Sequence, residues 1–171
     1  CAQIGHAGPR GACAAPQGGR PATEPLNQPW PLVAASDRPW AEGGLATAAL
    51  DEAGMDAVRD AFVAATRRAE AAGFDVLEIQ AGHGTLLSSF ITPLMNHRQD
   101  AYGGDLDGRL RFPLSVVEAV RAVWPEAKPL LVRVSAEDWM GEAGLAPDEA
   151  VEIARRLAAA GADLIDVSSG E

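Results

Sequence analysis

The chain has 171 residues, 47% of them hydrophobic, which is the size and composition of one globular domain with a substantial core. Its formal net charge of −10 argues against nucleic acid and anionic membranes as partners, because both need a basic surface, and no apolar run reaches the roughly 18 residues of a membrane span. The two cysteines, Cys1 and Cys13, make no disulfide framework and no metal-binding spacing, and we expect a reducing, cytoplasmic setting.

Predicted strands and helices alternate along the chain. Residues 1–5 are predicted to form a strand, and a long region without clear elements follows at 6–53, which is typical of a functional loop or lid. The later predicted elements are a helix at 54–72, a strand at 75–80, a short helix at 85–91, a helix at 109–124, a strand at 130–135, a helix at 147–160 and a strand at 163–168. Because these strands are almost continuously apolar, they indicate a parallel α/β sheet that is covered on both faces.

An internal repeat supports the same architecture. The segment RRAEAAGFDVLEI at 67–79 is matched by RRLAAAGADLIDV at 155–167, 88 positions further on. In each copy a helix ends at a glycine, Gly73 or Gly161, which suits the left-handed position after a helix, and an apolar strand follows. The separation leaves room for two βα units of roughly 40 residues each, near the size of such units in a TIM barrel.

The two ends of the chain read like barrel strands that run into their loops. The chain starts without Met, at Cys1, and stops at Glu171. We therefore expect residues 1–171 to be the central fragment of a single, longer barrel domain.

Polar residues stand at the predicted strand ends, where an α/β barrel keeps its chemistry. Gln3 lies near the end of the first strand, and Gln80 and His83 end and follow the next one. Arg133 lies inside the apolar run LLVRVS, where a cation is costly to bury unless an anionic group pairs with it. For Gln3, the residues alone leave open a barrel-interior amide that is satisfied by neighbouring groups.

The segment TPLMNHRQDAYGGDLDGRLRF at 92–112, together with these polar residues, resembles the flavin-dependent old yellow enzyme family. The resemblance covers essentially the whole chain. It implies a partial TIM (βα)8 barrel that contains strands 3 to 6 with their helices, in one FMN-binding domain capped by the region 6–53. Within the segment, we expect Asp100 and Arg109 to form a charge-assisted lock on the loop and His97 to be structural.

The resemblance assigns two residues to the cofactor FMN. Gln3 would hydrogen-bond the pyrimidine edge of the flavin, where a primary amide offers both a donor and an acceptor. Arg133 would lie against the N1/O2 edge and stabilise the negative charge of the reduced ring. The alternative that the residues leave open is a structural ion pair of Arg133 with Glu78 or Asp166 on other strands.

Gln80, His83 and Thr85 are the candidate catalytic residues. In ene-reductases of the family, two polar residues three apart donate hydrogen bonds to a substrate carbonyl while hydride passes from the flavin to the β-carbon. Gln80 stands where the family usually has a His. Thr85 stands where a Tyr usually protonates the α-carbon, and a Thr hydroxyl is a far poorer acid. His6 is expected to organise its loop.

Several short motifs resemble a subgroup, the reductase half of bifunctional flavoproteins of the salicylyl-CoA 5-hydroxylase and 2-aminobenzoyl-CoA monooxygenase/reductase type. They are HAGPRG at 6–11, WPL at 30–32, AVWP at 122–125 and SAEDW at 135–139. The resemblance implies an FMN-dependent NAD(P)H oxidoreductase that passes hydride to a small-molecule acceptor, an activated alkene such as an enone or a conjugated aromatic acyl-CoA.

Two alternatives stay open at this point. The first is a catalytically impaired flavin-binding barrel, because Gln80 and Thr85 replace the usual His and Tyr. The second is a flavin-free aldolase or isomerase, which is disfavoured because Lys128 precedes a strand and is badly placed for a Schiff base. The two unpaired edges of a four-stranded sheet also leave homo-oligomerisation open.

Overall fold

The computed structural model describes residues 1–14, 25–41 and 43–170. The strands within these ranges are β1 (Ala2–Ile4), β2 (Leu32–Ala34), β3 (Thr47–Ala49), β4 (Leu77–Gln80), β5 (Leu130–Ser135) and β6 (Leu164–Ser168). The helices are α1 (Glu52–Ala71), α2 (Leu86–Ile91), α3 (Leu106–Arg121) and α4 (Pro147–Ala159), with short 3₁₀ turns at Gly8–Arg10 and Gly141–Ala143. The predicted order of helices and strands after residue 53 is confirmed.

The central sheet has four parallel strands in the order β1-β4-β5-β6. Its register places Gln80 opposite Arg133, and Arg133 opposite Asp166. Each neighbouring pair is joined by a crossover that contains helix, as parallel strands require. The predicted parallel α/β architecture is therefore confirmed.

The two faces of the sheet differ sharply in polarity. Side chains alternate between the faces along each strand, and registered residues of neighbouring parallel strands share a face. One face carries Leu77, Ile79, Leu130 and Val132, all 0% exposed, and packs against the helices. The opposite face carries the polar side chains Gln3, Glu78, Gln80, Arg133, Ser135, Asp166 and Ser168.

Helix caps explain where the longer helices begin. The Asp51 carboxylate accepts the Gly54 N–H at 2.7 Å, and the Asp105 carboxylate accepts the Gly108 N–H at 3.0 Å. Helices α1 and α3 therefore begin before the first apolar residues that marked them in the sequence, since an N-cap acid satisfies a free backbone donor of the first turn. Gly73 and Gly161 have φ of +82° and +110°, which confirms their predicted left-handed conformation.

The core lies between the apolar face of the sheet and helices α1 to α4. Phe90 of α2 and Phe112 of α3 are almost fully buried, and their ring centroids are 4.8 Å apart. Burying each such ring stabilises the fold by roughly 1.5–3 kcal/mol. This packing fixes α2, and with it the loop that joins α2 to β4.

The prediction that 6–53 lacks clear elements was wrong. Strands β2 and β3 pair in a separate parallel sheet, with Leu32 opposite Thr47. Three residues per strand are too few to show an alternating pattern, so these two strands could not be recognised from their sequence. The Ala35 N–H donates to Ser89 Oγ of α2 at 3.1 Å and ties this small sheet to the barrel helices. The part of the predicted loop at 15–24 and at 42 lies outside the described residues.

Candidate active site

The candidate site lies at the carboxyl ends of the four central strands. Because all four are parallel, Gln3, Gln80, Arg133 and Ser168 approach the same edge on the same polar face. The loop after β4 continues this surface with His83 and Thr85. The structure thus brings together all five residues that the sequence singled out.

Gln3 is exposed, and one end of its amide is already engaged. Its Nε2 donates to Glu78 Oε1 at 2.6 Å. Glu78 is only 8% exposed, so the amide N–H satisfies a largely buried carboxylate. The Oε1 of Gln3 has no hydrogen-bond donor among the described residues and is free to accept one.

Arg133 forms the ion pair that the sequence left open, and its partner is Asp166. The Nη1 to Oδ2 distance is 3.3 Å, and both side chains are about one-third exposed. Its Nη2 also lies 3.5 Å from Ser168 Oγ. The Nε of Arg133 is buried and has no partner within the described part of the chain, so this guanidinium keeps an unused donor there.

Gln80 is oriented by the backbone that follows it. Its Oε1 accepts the Gly82 N–H at 2.9 Å. This contact needs the carbonyl oxygen of the amide, so the –NH2 group is the end left available for another acceptor. Gln80 can therefore donate a hydrogen bond at the mouth of the site.

His83 is held in a conformation that is uncommon for a residue with a side chain, with φ of +59°. Its N–H donates to Ser135 Oγ at 3.0 Å, and its carbonyl accepts from Arg10 Nη1 at 2.7 Å. Its ring Nε2 lies 2.6 Å from Ser168 Oγ. These contacts come from three separate segments and compensate the backbone strain.

The charges around His83 favour its neutral form. Burial lowers the pKa of His83 below its usual 6.5, and the nearby cations Arg133 and Arg10 lower it further. Asp166 acts in the opposite direction and is the smallest of these influences. The imidazole is thus set up as a neutral group with one N–H donor.

Trp40 and Arg10 cover the backbone next to His83. The Arg10 guanidinium lies 4.4 Å from the Trp40 ring centroid, within the range of a cation–π contact. A Cβ on Gly84 would overlap Trp40 Nε1, and the φ of Gly84 is +65°. Only glycine fits this position. Sequence reasoning assigned no individual role to Arg10, Trp40, Ser135 or Ser168. Arg10 and Ser135 lie in the quoted motifs and Ser168 ends a predicted strand, whereas no sequence signal marked Trp40.

The hydroxyl of Thr85 is engaged in a hydrogen bond to the backbone. Its Oγ1 donates to the Gly82 carbonyl at 2.9 Å, and the residue stands at the N-cap position of α2. A hydroxyl whose proton points at a peptide carbonyl is poorly placed to deliver that proton elsewhere.

The expected lock between Asp100 and Arg109 was wrong. Asp100 instead pairs with Arg98, at 2.6 Å and 2.9 Å. Arg109 lies on α3 and reaches the Ile91 carbonyl and Glu149 at the start of α4. Asp100 and Arg109 have different partners because Asp100 lies in a tight turn beside Arg98, whereas helix α3 places Arg109 next to α4.

The two remaining histidines have local structural contacts. His6 Nδ1 accepts the Gly8 N–H at 3.0 Å, in line with its expected role in the loop, and burial lowers its pKa. His97 Nε2 lies 3.0 Å from the Leu94 carbonyl.

A parallel sheet with helices packed on its apolar face and polar side chains at the carboxyl ends of its strands is the arrangement found in βα-barrel enzymes. Within that class, the chain belongs to the NADH:flavin oxidoreductase / NADH oxidase family, whose profile matches residues 23–171. The resemblance to old yellow enzymes is confirmed by this match and by the solved structures below. Members of the family are flavin-dependent oxidoreductases.

The similar proteins are all longer than the matched region. An NADPH dehydrogenase of Clostridium acetobutylicum is 52% identical over 110 residues, covering 64% of this chain and 32% of that protein. The old yellow enzyme homologue of Zymomonas mobilis has a TM-score of 0.70 and 26% identity, covering 83% of this chain and 43% of that one. The 2-naphthoyl-CoA reductase complex with 2-naphthoyl-CoA has a TM-score of 0.76 and 25% identity, covering 82% and 21%. The chain thus spans less than half the length of these relatives, and its sheet is part of a TIM barrel.

Within residues 1–14, 25–41 and 43–170, no helix combines the length and apolar character needed to cross a membrane.

Proposed function

We propose that the protein is an FMN-dependent NAD(P)H oxidoreductase of the old yellow enzyme type that transfers hydride, through the flavin, to an activated alkene. The observation that carries the proposal is the shared placement of Gln3, Gln80, Arg133 and His83 at one end of one polar face. Family membership supports the flavin, and the side chains present at the site support the carbonyl-bearing acceptor.

The side chains at this face fit FMN. Gln3 keeps a free amide oxygen, and Arg133 keeps a buried, unpartnered Nε–H. An orphaned buried donor costs on the order of 1–3 kcal/mol, which a bound acceptor group would recover. Bound FMN would supply hydride transfer between the nicotinamide and the acceptor. Arg133, already anchored by Asp166, would hold a fixed positive charge toward the anionic edge of the ring.

Gln80 and His83 would bind and polarise the carbonyl of the acceptor. The –NH2 of Gln80 and the N–H of a neutral His83 are donors of fixed orientation. Donors that are already aimed stabilise negative charge as it builds on an oxygen, without reorganising. A cation at the Gln80 position is impossible at any pH, so the site relies on neutral hydrogen bonding from this residue.

The acceptor is proposed to be an enone or a conjugated aromatic acyl-CoA. The thioester is supported by the subgroup motifs and by the structural likeness to 2-naphthoyl-CoA reductase. Residues 1–171 would belong to one FMN-binding domain, in which the described parts of 6–53 cap the site, since Arg10 and Trp40 cover the loop after β4. Self-association is proposed for residues 1–171 on their own, because the outer strands β1 and β6 are each paired on one side only.

A second candidate is a flavin-binding barrel with impaired ene-reduction. The specific observation in its favour is the hydrogen bond from Thr85 Oγ1 to the Gly82 carbonyl, which occupies the hydroxyl that would replace the family's tyrosine. In that case the barrel keeps flavin and loses the protonation step.

One experiment separates the two. The intact protein is isolated, its flavin content is measured, and NADPH is added under anaerobic conditions, followed by a cyclic enone or an aromatic CoA thioester. Reoxidation of the flavin by either acceptor supports the first candidate. Flavin reduction followed by reoxidation with oxygen alone supports the second. A colourless protein that takes up no added FMN contradicts both.

A further inference from the structure

Two serines on neighbouring strands contact His83. Ser135 of β5 and Ser168 of β6 are opposite each other in the sheet register, on the polar face. Ser135 Oγ accepts the backbone N–H of His83 and donates to the Gly170 carbonyl at 2.7 Å. Ser168 Oγ instead contacts the imidazole ring, at 2.6 Å from Nε2. One serine thus fixes the backbone of His83 and the other contacts its ring.

The direction of the ring hydrogen bond follows from the other neighbour of Ser168. Arg133 Nη2 lies 3.5 Å from the same oxygen, a long contact whose polarity is fixed because a guanidinium only donates. The Ser168 oxygen is therefore the acceptor for Arg133, and its own proton needs an acceptor. Among the described residues, His83 Nε2 is the acceptor in reach. The reverse arrangement would aim two donors at one oxygen and leave the hydroxyl proton without a partner.

We propose that Ser168 is a positioning residue that holds His83 in the tautomer protonated on Nδ1, so that Nδ1–H is the donor presented to the acceptor carbonyl. The identity of that acceptor rests on the proposed function. The tautomer rests only on the contacts of the imidazole ring. The ordered contacts run from Asp166 through Arg133 and Ser168 to the imidazole.

The remaining ring nitrogen is suitably placed for this role. His83 Nδ1 has no hydrogen-bond partner among the described residues, and the side chain is partly exposed at the mouth of the site. The charged groups that face the ring are Arg10, Arg133 and Asp166; burial and the two arginines lower the pKa of His83 and favour its neutral form, and Asp166 opposes them. A neutral ring with Nε2 occupied as an acceptor has a single donor, on Nδ1.

The tautomer is read directly by nitrogen NMR of the intact protein labelled with ¹⁵N-histidine. The two nitrogens of a neutral imidazole give well-separated shifts according to which one carries the proton, and His83→Gln identifies the signals by difference. We expect the wild-type protein to show protonated Nδ1. Ser168→Ala should shift His83 toward a mixture of tautomers, whereas Ser168→Thr, which keeps the hydroxyl, should retain the wild-type pattern.

Ser169→Ala is the matched control, because Ser169 is the exposed neighbour of Ser168 and should leave the spectrum unchanged. In parallel, kcat/KM toward a carbonyl acceptor should fall about tenfold in Ser168→Ala, the value of one hydrogen bond, and recover in Ser168→Thr. A wild-type His83 protonated on Nε2 overturns the inference, and so does an unchanged tautomer in Ser168→Ala. Absence of flavin or of acceptor turnover contradicts the proposed function, while the NMR result still decides the tautomer.

Discussion

Arg98 should be the anchor of the small β2–β3 sheet, and replacing it with Met tests this. Its side chain is 11% exposed and donates through Nη1 to the carbonyls of Ala35 and Leu50, at 2.9 Å and 2.7 Å. These carbonyls follow β2 and β3, so one guanidinium closes the ends of both strands. The partner carboxylate of Asp100 is 52% exposed, and that ion pair contributes under about 1 kcal/mol.

The size of the effect follows from the carbonyl bonds. Each charge-assisted bond to a carbonyl is worth about 1.5–3 kcal/mol, and partial hydration in the variant offsets some of the loss, leaving roughly 2–4 kcal/mol. Because about 1.4 kcal/mol corresponds to a tenfold change in an equilibrium constant, the protection of the backbone amides in β2 and β3 against hydrogen exchange should fall roughly 30-fold to 700-fold.

Hydrogen exchange with mass spectrometry measures this protection in the intact protein. Asp100→Asn is the matched control and should change protection in β2 and β3 by less than about threefold, since it removes only the exposed pair. Arg98→Lys should fall between the two, because one ammonium cannot reproduce the planar set of donors. If Arg98→Met also changes protection by less than about threefold, the carbonyl contacts do not hold the sheet and the reasoning is refuted.

Three further outcomes are expected. Gln80→Leu should lower kcat/KM toward a carbonyl acceptor about tenfold, whereas Thr85→Val should change it less than about twofold; a loss of about 100-fold in Thr85→Val would instead mark Thr85 as a general acid. Arg10→Gln should raise the pKa of His83 toward its usual 6.5 in an NMR titration of the flavin-free protein, because a neighbouring cation is removed; an unchanged pKa would show that Arg10 has no electrostatic influence there. Residues 1–171 expressed alone should aggregate or self-associate, since β6 exposes Leu164 and Val167 at 51% and 67%; a monodisperse monomer on size-exclusion chromatography with a cooperative melt would contradict this.

The same pKa shift has a consequence for stability. The folded-state pKa of His83 is lowered, so the unfolded chain binds more protons than the folded one as the pH falls below the usual 6.5. Stability is therefore unaffected by His83 above that value and decreases as the pH falls toward the folded pKa.

The parts of the fold with strong local signals were predictable from the sequence. Strand β5 was placed at 130–135, its observed bounds, because six apolar-rich residues lie between Pro129 and a polar loop. The repeat located β4 and β6 through Gly73 and Gly161, whose left-handed backbone strongly favours glycine. Strands β2 and β3 were missed because three-residue strands carry no periodicity, and the side chains that hydrogen-bond the backbone after β2, Arg98 and Ser89, are distant in sequence.

The sequence allowed us to predict which residues form the candidate site, but not which of them pair with one another. The polar residues at the strand ends identified Gln3, Gln80 and Arg133, because strand ends in a parallel sheet share one edge. Which charged groups pair depends on register: Asp166 faces Arg133 across β5 and β6, whereas Glu78 faces Gln3 across β1 and β4. A single sequence carries no record of register, so the alternative between Glu78 and Asp166 could be settled only in three dimensions.

The loop region between β1 and α1, which contains Arg10 and Trp40, supports the loop after β4, and redesign has to treat the two together. Loops on a rigid scaffold usually vary more than the strands and helices that they connect, and they tolerate insertions and deletions. Here the Leu86 N–H donates to the His6 carbonyl at 3.0 Å, Arg10 holds the carbonyl of His83, and Trp40 covers Gly84. A graft of either loop alone into a related barrel would remove the contacts that maintain the strained backbone of His83. The two loops form one transferable unit and should be exchanged together.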